Sequence, residues 1–274
     1  MTEVAVLIGT GSIGVAVGRR AAVGRKLLLA DFNEQTMADV ASRLHGEGYD
    51  VTTQQIDIAD HGSVASLADA AASLGDVTRV IIAAGVSPVQ ANTQRVLEVD
   101  LAGTAYVLEE FGRVIAPGGS GVVIASMAGH MGDGYPKDVE YALANTPAAE
   151  LLELAALDPE AVGDSGAAYT LAKRANALRV QAAAVTWGAR GARVNCLSPG
   201  IISPSGPGRD DRPERRRLCR DDRHLRRATD GHPGRDREHR RVPARPGRRV
   251  HHRLGPAHRR RGHRGHARRP ARLT

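Results

Sequence analysis

Val4-Ala5-Val6-Leu7-Ile8-Gly9-Thr10-Gly11-Ser12-Ile13-Gly14 decides the fold. Five successive apolar residues without polar alternation predict a strand covered on both faces. The glycines that follow fit G-x-G-x-x-G, the turn that carries such a strand into a helix. Gly9 and Gly11 permit a tight turn and close approach of a pyrophosphate, Ser12 and Ile13 open the helix, and Gly14 completes the motif. The free N–H groups and dipole of that helix start favour an anion. Asp31 ends a second apolar run 22 residues after Gly9. A carboxylate there hydrogen-bonds an adenosine ribose and repels a 2′-phosphate. Phe32-Asn33-Glu34 brings no Arg or Lys beside it, so NAD is expected in preference to NADP.

Outward from this stretch, short apolar runs alternate with amphipathic ones. Strands are predicted at Val4–Ile8, Leu27–Ala30, Val51–Ile56, Arg79–Ala83, Gly121–Ala125 and Ala192–Cys196. Helices are predicted at Gln35–His45, Ser63–Ala72, Thr93–Val114 and Ala167–Trp187. This is the grammar of an α/β fold with a doubly wound, Rossmann-like parallel sheet. One domain is expected over residues 1–203, interrupted by an insertion at 130–165 that carries a short helix at Pro147–Leu157. A segment so long after the fifth strand is a candidate lid or active-site wall.

Charge divides the chain in two. Pro204–Thr274 holds 24 Arg, no Lys and 8 acidic residues, a net +16, and leaves Met1–Ser203 at −8. The overall +8 therefore describes the tail and gives no ground for a nucleic-acid or membrane role of the whole chain. No apolar run reaches the ~20 residues of a membrane span. The first strand begins too near Met1 to leave room for a signal peptide. Cys196 and Cys219 make neither a disulfide framework nor a zinc site, and no metal is expected. A soluble cytoplasmic protein is the expectation.

Tyr169-Thr170-Leu171-Ala172-Lys173 sets a phenol and an ammonium four residues apart on one helix face. A nearby cation favours the phenolate and draws a tyrosine toward acid–base work. With the dinucleotide turn upstream and Ser126 at the end of the fifth strand, the chain resembles the short-chain dehydrogenase/reductase family over about residues 2–203. The landmarks come in family order: the Gly-rich turn, Asp31, Asp57-Ile58, Ala84-Gly85, Ser126-Met127-Ala128-Gly129, Tyr169/Lys173, and Asn195-Cys196-Leu197-Ser198-Pro199-Gly200.

The resemblance implies that Tyr169 exchanges a proton with the oxygen of a secondary alcohol or ketone, and that Ser126 hydrogen-bonds the same oxygen. Lys173 lowers the tyrosine's pKa and holds the nicotinamide ribose. Asp57 and Ile58 line the adenine beside Phe32, Ala84-Gly85 follow the fourth strand, and Pro199-Gly200 border the nicotinamide. Three departures stand out. The phrase N-N-A-G has become Ile82-Ala83-Ala84-Gly85; Asp100 takes the place of the asparagine that usually holds a proton-relay water; and Ser126 lies 43 residues before Tyr169. Tyr141 lacks a lysine four residues on and is a decoy.

After Ser203 the pattern stops. The last 71 residues contain no Phe, Tyr, Trp, Ile, Met, Lys, Asn or Gln, and six Leu plus Val. Such a segment has too little to bury and is expected to be disordered. Its composition is also that of GC-rich coding DNA read out of frame. The second codon bases of Arg245–Gly262 run G-C-G-G-G-T-A-A-G-T-G-C-C-A-G-G-G-G. Read as first bases they permit Gly-Pro-Asp-Ala-Gly-Phe-Ile-Thr-Gly-Ser-Asp-Leu-Leu-Ile-Asp-Gly-Gly-Val, which resembles the family's closing strand and turn. Gly208–Glu214 likewise permit Asp-Glu-Met-Thr-Gly-Pro. The last strand is thus expected to be missing or out of frame, with the slip between Ser203 and Gly206. The alternatives are a catalytically retired NAD-binding core and a genuine Arg-rich arm that binds phosphates. The arm lacks aromatic residues for base stacking, so nucleic acid is the weaker partner. The family also implies a homo-oligomer, whose assembly region falls in the altered tail.

Overall fold

The structure, a computed structural model, describes residues 2–202. The expected disordered tail and the closing strand lie outside the described residues. Among the described residues six strands form one parallel sheet: β1 (Glu3–Ile8), β2 (Lys26–Asp31), β3 (Asp50–Gln55), β4 (Asp76–Ile82), β5 (Ile115–Ile124) and β6 (Arg193–Leu197), in the order β3-β2-β1-β4-β5-β6. The chain winds outward from β1 to β3, then returns to β4 on the other side of β1. The switch point between β1 and β4 is where such sheets open a crevice at their carboxyl ends.

All six expected strands are present, each within a few residues of its expected bounds; β5 begins earlier, at Ile115. Helices α1 (Ser12–Ala21), α2 (Glu34–Gly46) and α3 (His61–Leu74) alternate with the first four strands. Local side chains fix the starts: Asn33 accepts from Thr36 N at 2.9 Å at the head of α2, and Asp60 accepts from Gly62 N at the head of α3. Val4, Val6, Ile8, Val80 and Ile82 pack beneath α3 and the later helices, while Ala5, Leu7, Leu27 and Leu29 pack beneath α1 and α2.

The single helix expected at Thr93–Val114 is three pieces: α4 (Thr93–Val96), a π segment (Leu97–Ala102) and α5 (Gly103–Val114). The widened turn accommodates Asp100, a carboxylate with no exposed surface whose partners all lie inside the protein. The inserted segment also departs from expectation. It forms α6 (Lys137–Asn145), two 3₁₀ turns (Ala148–Glu153 and Ala155–Leu157) and α7 (Pro159–Val162) before the 25-residue α8 (Ser165–Ala189). In place of the short helix expected at Pro147–Leu157 stand the two 3₁₀ turns, whose core-facing residues Ala148, Leu151, the partly buried Leu154 and Leu157 recur in steps of three, the period of that helix. Together with Leu143 they form a second core against Leu97, Leu101, Leu171 and Ala175.

Candidate functional site

The glycine turn lies at the switch point. Gly9 has φ +94°, and a β-carbon there would collide with the backbone of Ala84, so β1 and β4 approach as only glycine allows. A β-carbon on Gly14 would strike Gly9 O, whereas one on Gly11 would meet nothing within 4 Å. Gly11 caps α1 without a side-chain hydrogen bond, and no acidic residue occupies the first turn. The helix start is therefore an open set of N–H donors beside a backbone cradle, which fits a pyrophosphate.

At the tip of β2, Asp31 Oδ2 accepts from Thr10 N at 2.6 Å and Thr10 Oγ1 at 2.7 Å, and its Oδ1 accepts from Asn33 N at 2.9 Å. The Asp31 carboxylate is thus tied to the glycine turn, with Phe32 exposed beside it. After β3, both oxygens of Asp57 accept from Arg95 Nη2, at 3.0 and 2.9 Å, and Oδ1 also accepts from Ala59 N. The Asp57 hydrogen bond raises the Arg95 guanidinium above its ordinary range. Ile58 is buried and packs against Gly103, where a β-carbon would come within 2.9 Å of it.

The second half of the site hangs on β5 and β6. Ser126 heads a 3₁₀ turn (Met127–His130), its Oγ accepting from Ala128 N at 3.2 Å. Met127 N donates to Pro199 O at 2.9 Å, which joins this turn to Pro199-Gly200. Gly129 lies flat on α8, for a β-carbon there would come 2.6 Å from the backbone carbon of Lys173. Tyr169 and Lys173 share one face of α8, with Lys173 Nζ 5.2 Å from the Tyr169 ring centroid. Lys173 is 5% exposed and its Nζ lies 2.9 Å from Asp100 Oδ2. Asp100 Oδ1 accepts from Val86 N at 2.7 Å, and a β-carbon on Gly85 would stand 3.2 Å from both carboxylate oxygens.

The structure brings Tyr169, Lys173 and Asp100 together and seats the Ser126 turn on the same helix. Asp31, Gly9, Gly11, Ser12, Ile13, Gly14, Ala84 and Gly85 gather at the carboxyl ends of β1, β2 and β4. Asp57 is engaged by Arg95, a residue the sequence motifs do not reveal. Asn176 was also missed: its Nδ2 donates to Asp100 O at 2.9 Å, and the i, i+4, i+7 spacing of Tyr169, Lys173 and Asn176 was the available signal.

Two neighbours complete the surroundings. On β6, burial pushes the Cys196 thiol up, while its hydrogen bond to Ser198, a backbone contact at Ala125 and the Lys173 cation act against the rise. His130 Nε2 lies 2.9 Å from Ser198 Oγ. A cavity of about 360 Å³ opens between the Gly129–Tyr135 stretch and Thr170 and Arg174 of α8. Arg174 is paired with Glu140 of α6, so the insertion borders this cavity. Tyr141 is 70% exposed and belongs to none of this. Among the described residues no trio of His, Cys, Asp or Glu gathers to hold a metal, and no helix is long and apolar enough to cross a membrane.

Comparison with known proteins agrees with this architecture. Over 198 residues the chain is 41% identical to the short-chain dehydrogenase/reductase bsc3 of Alternaria brassicicola, covering 72% of each chain. The fold matches an NAD⁺-bound xylitol dehydrogenase (TM-score 0.56, 24% identity, 74% of this chain and 72% of that one). It also matches an actinorhodin polyketide ketoreductase with NADPH (TM-score 0.55, 20% identity, 74% and 71%). Residues 3–158 match the family described as short chain dehydrogenase. The chain belongs to the short-chain dehydrogenase/reductase family of oxidoreductases.

Proposed function

We propose that residues 1–203 are the domain of an NAD-dependent oxidoreductase that moves a hydride between nicotinamide and a secondary alcohol or ketone, in the cytoplasm. This activity belongs to the frame-restored chain, and the shifted frame after Ser203 puts it at risk in the chain as written. The observation that carries the reading is the buried Lys173 ammonium, 5.2 Å from the Tyr169 ring and 2.9 Å from Asp100, on the helix that meets the Ser126 turn. The nicotinamide, when bound, supplies the hydride acceptor or donor. Tyr169 gives a proton to the carbonyl oxygen or takes one from the alcohol, and Ser126 Oγ orients that oxygen. Lys173 holds the nicotinamide ribose and supplies the positive charge that favours phenolate. Asp100 stands where a water-holding side chain belongs and pairs that charge. The α1 N-terminus with Gly9, Gly11, Ser12, Ile13 and Gly14 receives the pyrophosphate, Asp31 the adenosine ribose, and Phe32, Asp57 and Ile58 border the adenine. Ala84 and Gly85 lie beside the dinucleotide, and Pro199 and Gly200 flank the nicotinamide. Turnover of a panel of small secondary alcohols by the frame-restored chain, with NAD⁺ and with NADP⁺, tests the assignment. NAD⁺-linked activity is expected; activity with NADP⁺ alone overturns the preference.

We further read Pro204–Thr274 as the product of a shifted reading frame, with residues 1–203 as the catalytic domain and 130–165 as its insertion. The base-by-base agreement across Arg245–Gly262 supports this. Sequencing the coding DNA across Ile201–Gly208, with the intact mass of the natural protein, tests it. An extra or missing base and a mass fitting the restored frame are expected. A clean sequence and a mass matching the chain as written overturn it.

A further inference from the structure

We propose that Asn176 is a positioning residue, which keeps the Asp100 carboxylate on Lys173 by anchoring the backbone of the π segment. The inference rests on the reading of Tyr169 and Lys173 as the proton-handling pair. Asn176 has no exposed surface, and its Nδ2 donates to the main-chain oxygen of Asp100 at 2.9 Å. Thr104 Oγ1 donates to the same oxygen at 3.0 Å. A π segment departs from the ordinary four-residue ladder, and its carbonyls need partners from elsewhere. Here α8 supplies one.

The anchor matters because the ion pair itself is weakly directional. Asp100 Oδ2 lies 2.9 Å from Lys173 Nζ, yet it makes no hydrogen bond of acceptable geometry to any described group. Only Oδ1 is fixed, by Val86 N at 2.7 Å. The direction of the carboxylate is therefore set by the Val86 N contact together with where the Asp100 backbone stands, and Asn176 holds that backbone from the helix that carries Lys173. The amide is costly as packing alone. Its Oδ1 has no partner among the described residues, whereas a leucine would fill similar space without a polar group to desolvate. The charged and titratable groups around Lys173 are Asp100 from the π segment, Tyr169 from α8 and Cys196 from β6.

The chain has three lysines, Lys26, Lys137 and Lys173, which makes competitive acetylation of the full chain by acetic anhydride a direct reading of the pair. Lys137 is exposed and Lys26 is half-buried beside Asp50 of β3, so both serve as internal references. In the native chain Lys173 is expected to react slowest. Asn176→Ala should raise its rate about threefold or more relative to Lys137, the order of coupling found between neighbouring groups. Lys26 should keep its ratio to Lys137. Asn176→Leu, which refills the space, should act like Asn176→Ala. Asp100→Asn should also raise the rate, and the double variant with Asn176→Ala should go no further. An unchanged Lys173 rate in both Asn176 variants, effects that multiply with Asp100→Asn, or a parallel rise at Lys26 would each overturn the proposal. The labelling needs no substrate and no turnover, so a failure of the proposed activity and a failure of this inference are read separately.

Discussion

Arg179 Nη2 stands 3.2 Å from Glu109 Oε1, and that one oxygen also accepts from Ala148 N at 2.9 Å. Arg179 Nη1 meanwhile donates to Leu143 O at 3.1 Å and Thr146 O at 2.8 Å. A single guanidinium on α8 thus closes the last turn of α6 and, through Glu109 of α5, the first 3₁₀ turn of the insertion. Desolvation lowers the Arg179 pKa and the Glu109 charge opposes it. Arg179→Ala leaves two buried carbonyls unpaired and should cost about 2–4 kcal/mol. Urea unfolding should show a lower midpoint with an unchanged slope. A loss below about 0.5 kcal/mol, the level of a surface substitution, contradicts the anchoring role.

Gly85 is the space into which the Asp100 carboxylate fits. With a β-carbon 3.2 Å from both oxygens, Gly85→Ala must shift the carboxylate or the β4 end. A destabilisation of about 1–3 kcal/mol is expected, as for other overpacked sites. An unaltered melting temperature would mean that the turn yields freely.

Asp31 both tethers Thr10 and, in the proposed function, repels a 2′-phosphate. Asp31→Ala should lower NAD⁺ affinity and raise the relative affinity for NADP⁺ by about tenfold, the effect of one charge-assisted contact. Titration calorimetry with both cofactors measures this. An unchanged ratio refutes the role.

Burial keeps the Cys196 thiol neutral in the folded protein, so the unfolded chain ionises first as pH rises. The stability this group contributes is present below the ordinary thiol range and fades above it. Cys196→Ala should therefore flatten the alkaline fall in melting temperature. A fall of the same steepness in the variant removes Cys196 as its cause.

The sheet was legible because a parallel strand buried on both faces needs an apolar run, and β1, β2 and β4 carry one at Val4–Ile8, Leu27–Ala30 and Val80–Ile82. β3 and β6 are more polar runs, at the two ends of the described strand order, and were found by rhythm. The insertion was less legible. Of α6 only Leu143 is fully buried, which leaves a nine-residue helix with little periodic signal. The Ala148/Leu151/Leu157 period of three resembles an α-helical face over so short a span. In the site, the residue types and their order were readable, since glycine turns and the Tyr169/Lys173 spacing are local. The partners were not: Arg95 reaches Asp57 across 38 residues, and Asn176 reaches Asp100 across 76. The helical spacing of Asn176 with Tyr169 and Lys173 marks a shared face, but which group each residue meets arises from the winding of the chain around the sheet.

The most direct test of the account compares the frame-restored chain with its Tyr169→Phe variant, following NADH formation from a secondary alcohol and NAD⁺ binding side by side. Removing one hydroxyl leaves the ring against Lys173 and takes away the group proposed to accept the alcohol's proton. The account predicts that turnover falls by about 10³-fold or more while NAD⁺ affinity stays within about twofold, the pattern of a group that acts on the reacting atoms. Turnover undiminished in Tyr169→Phe would contradict it.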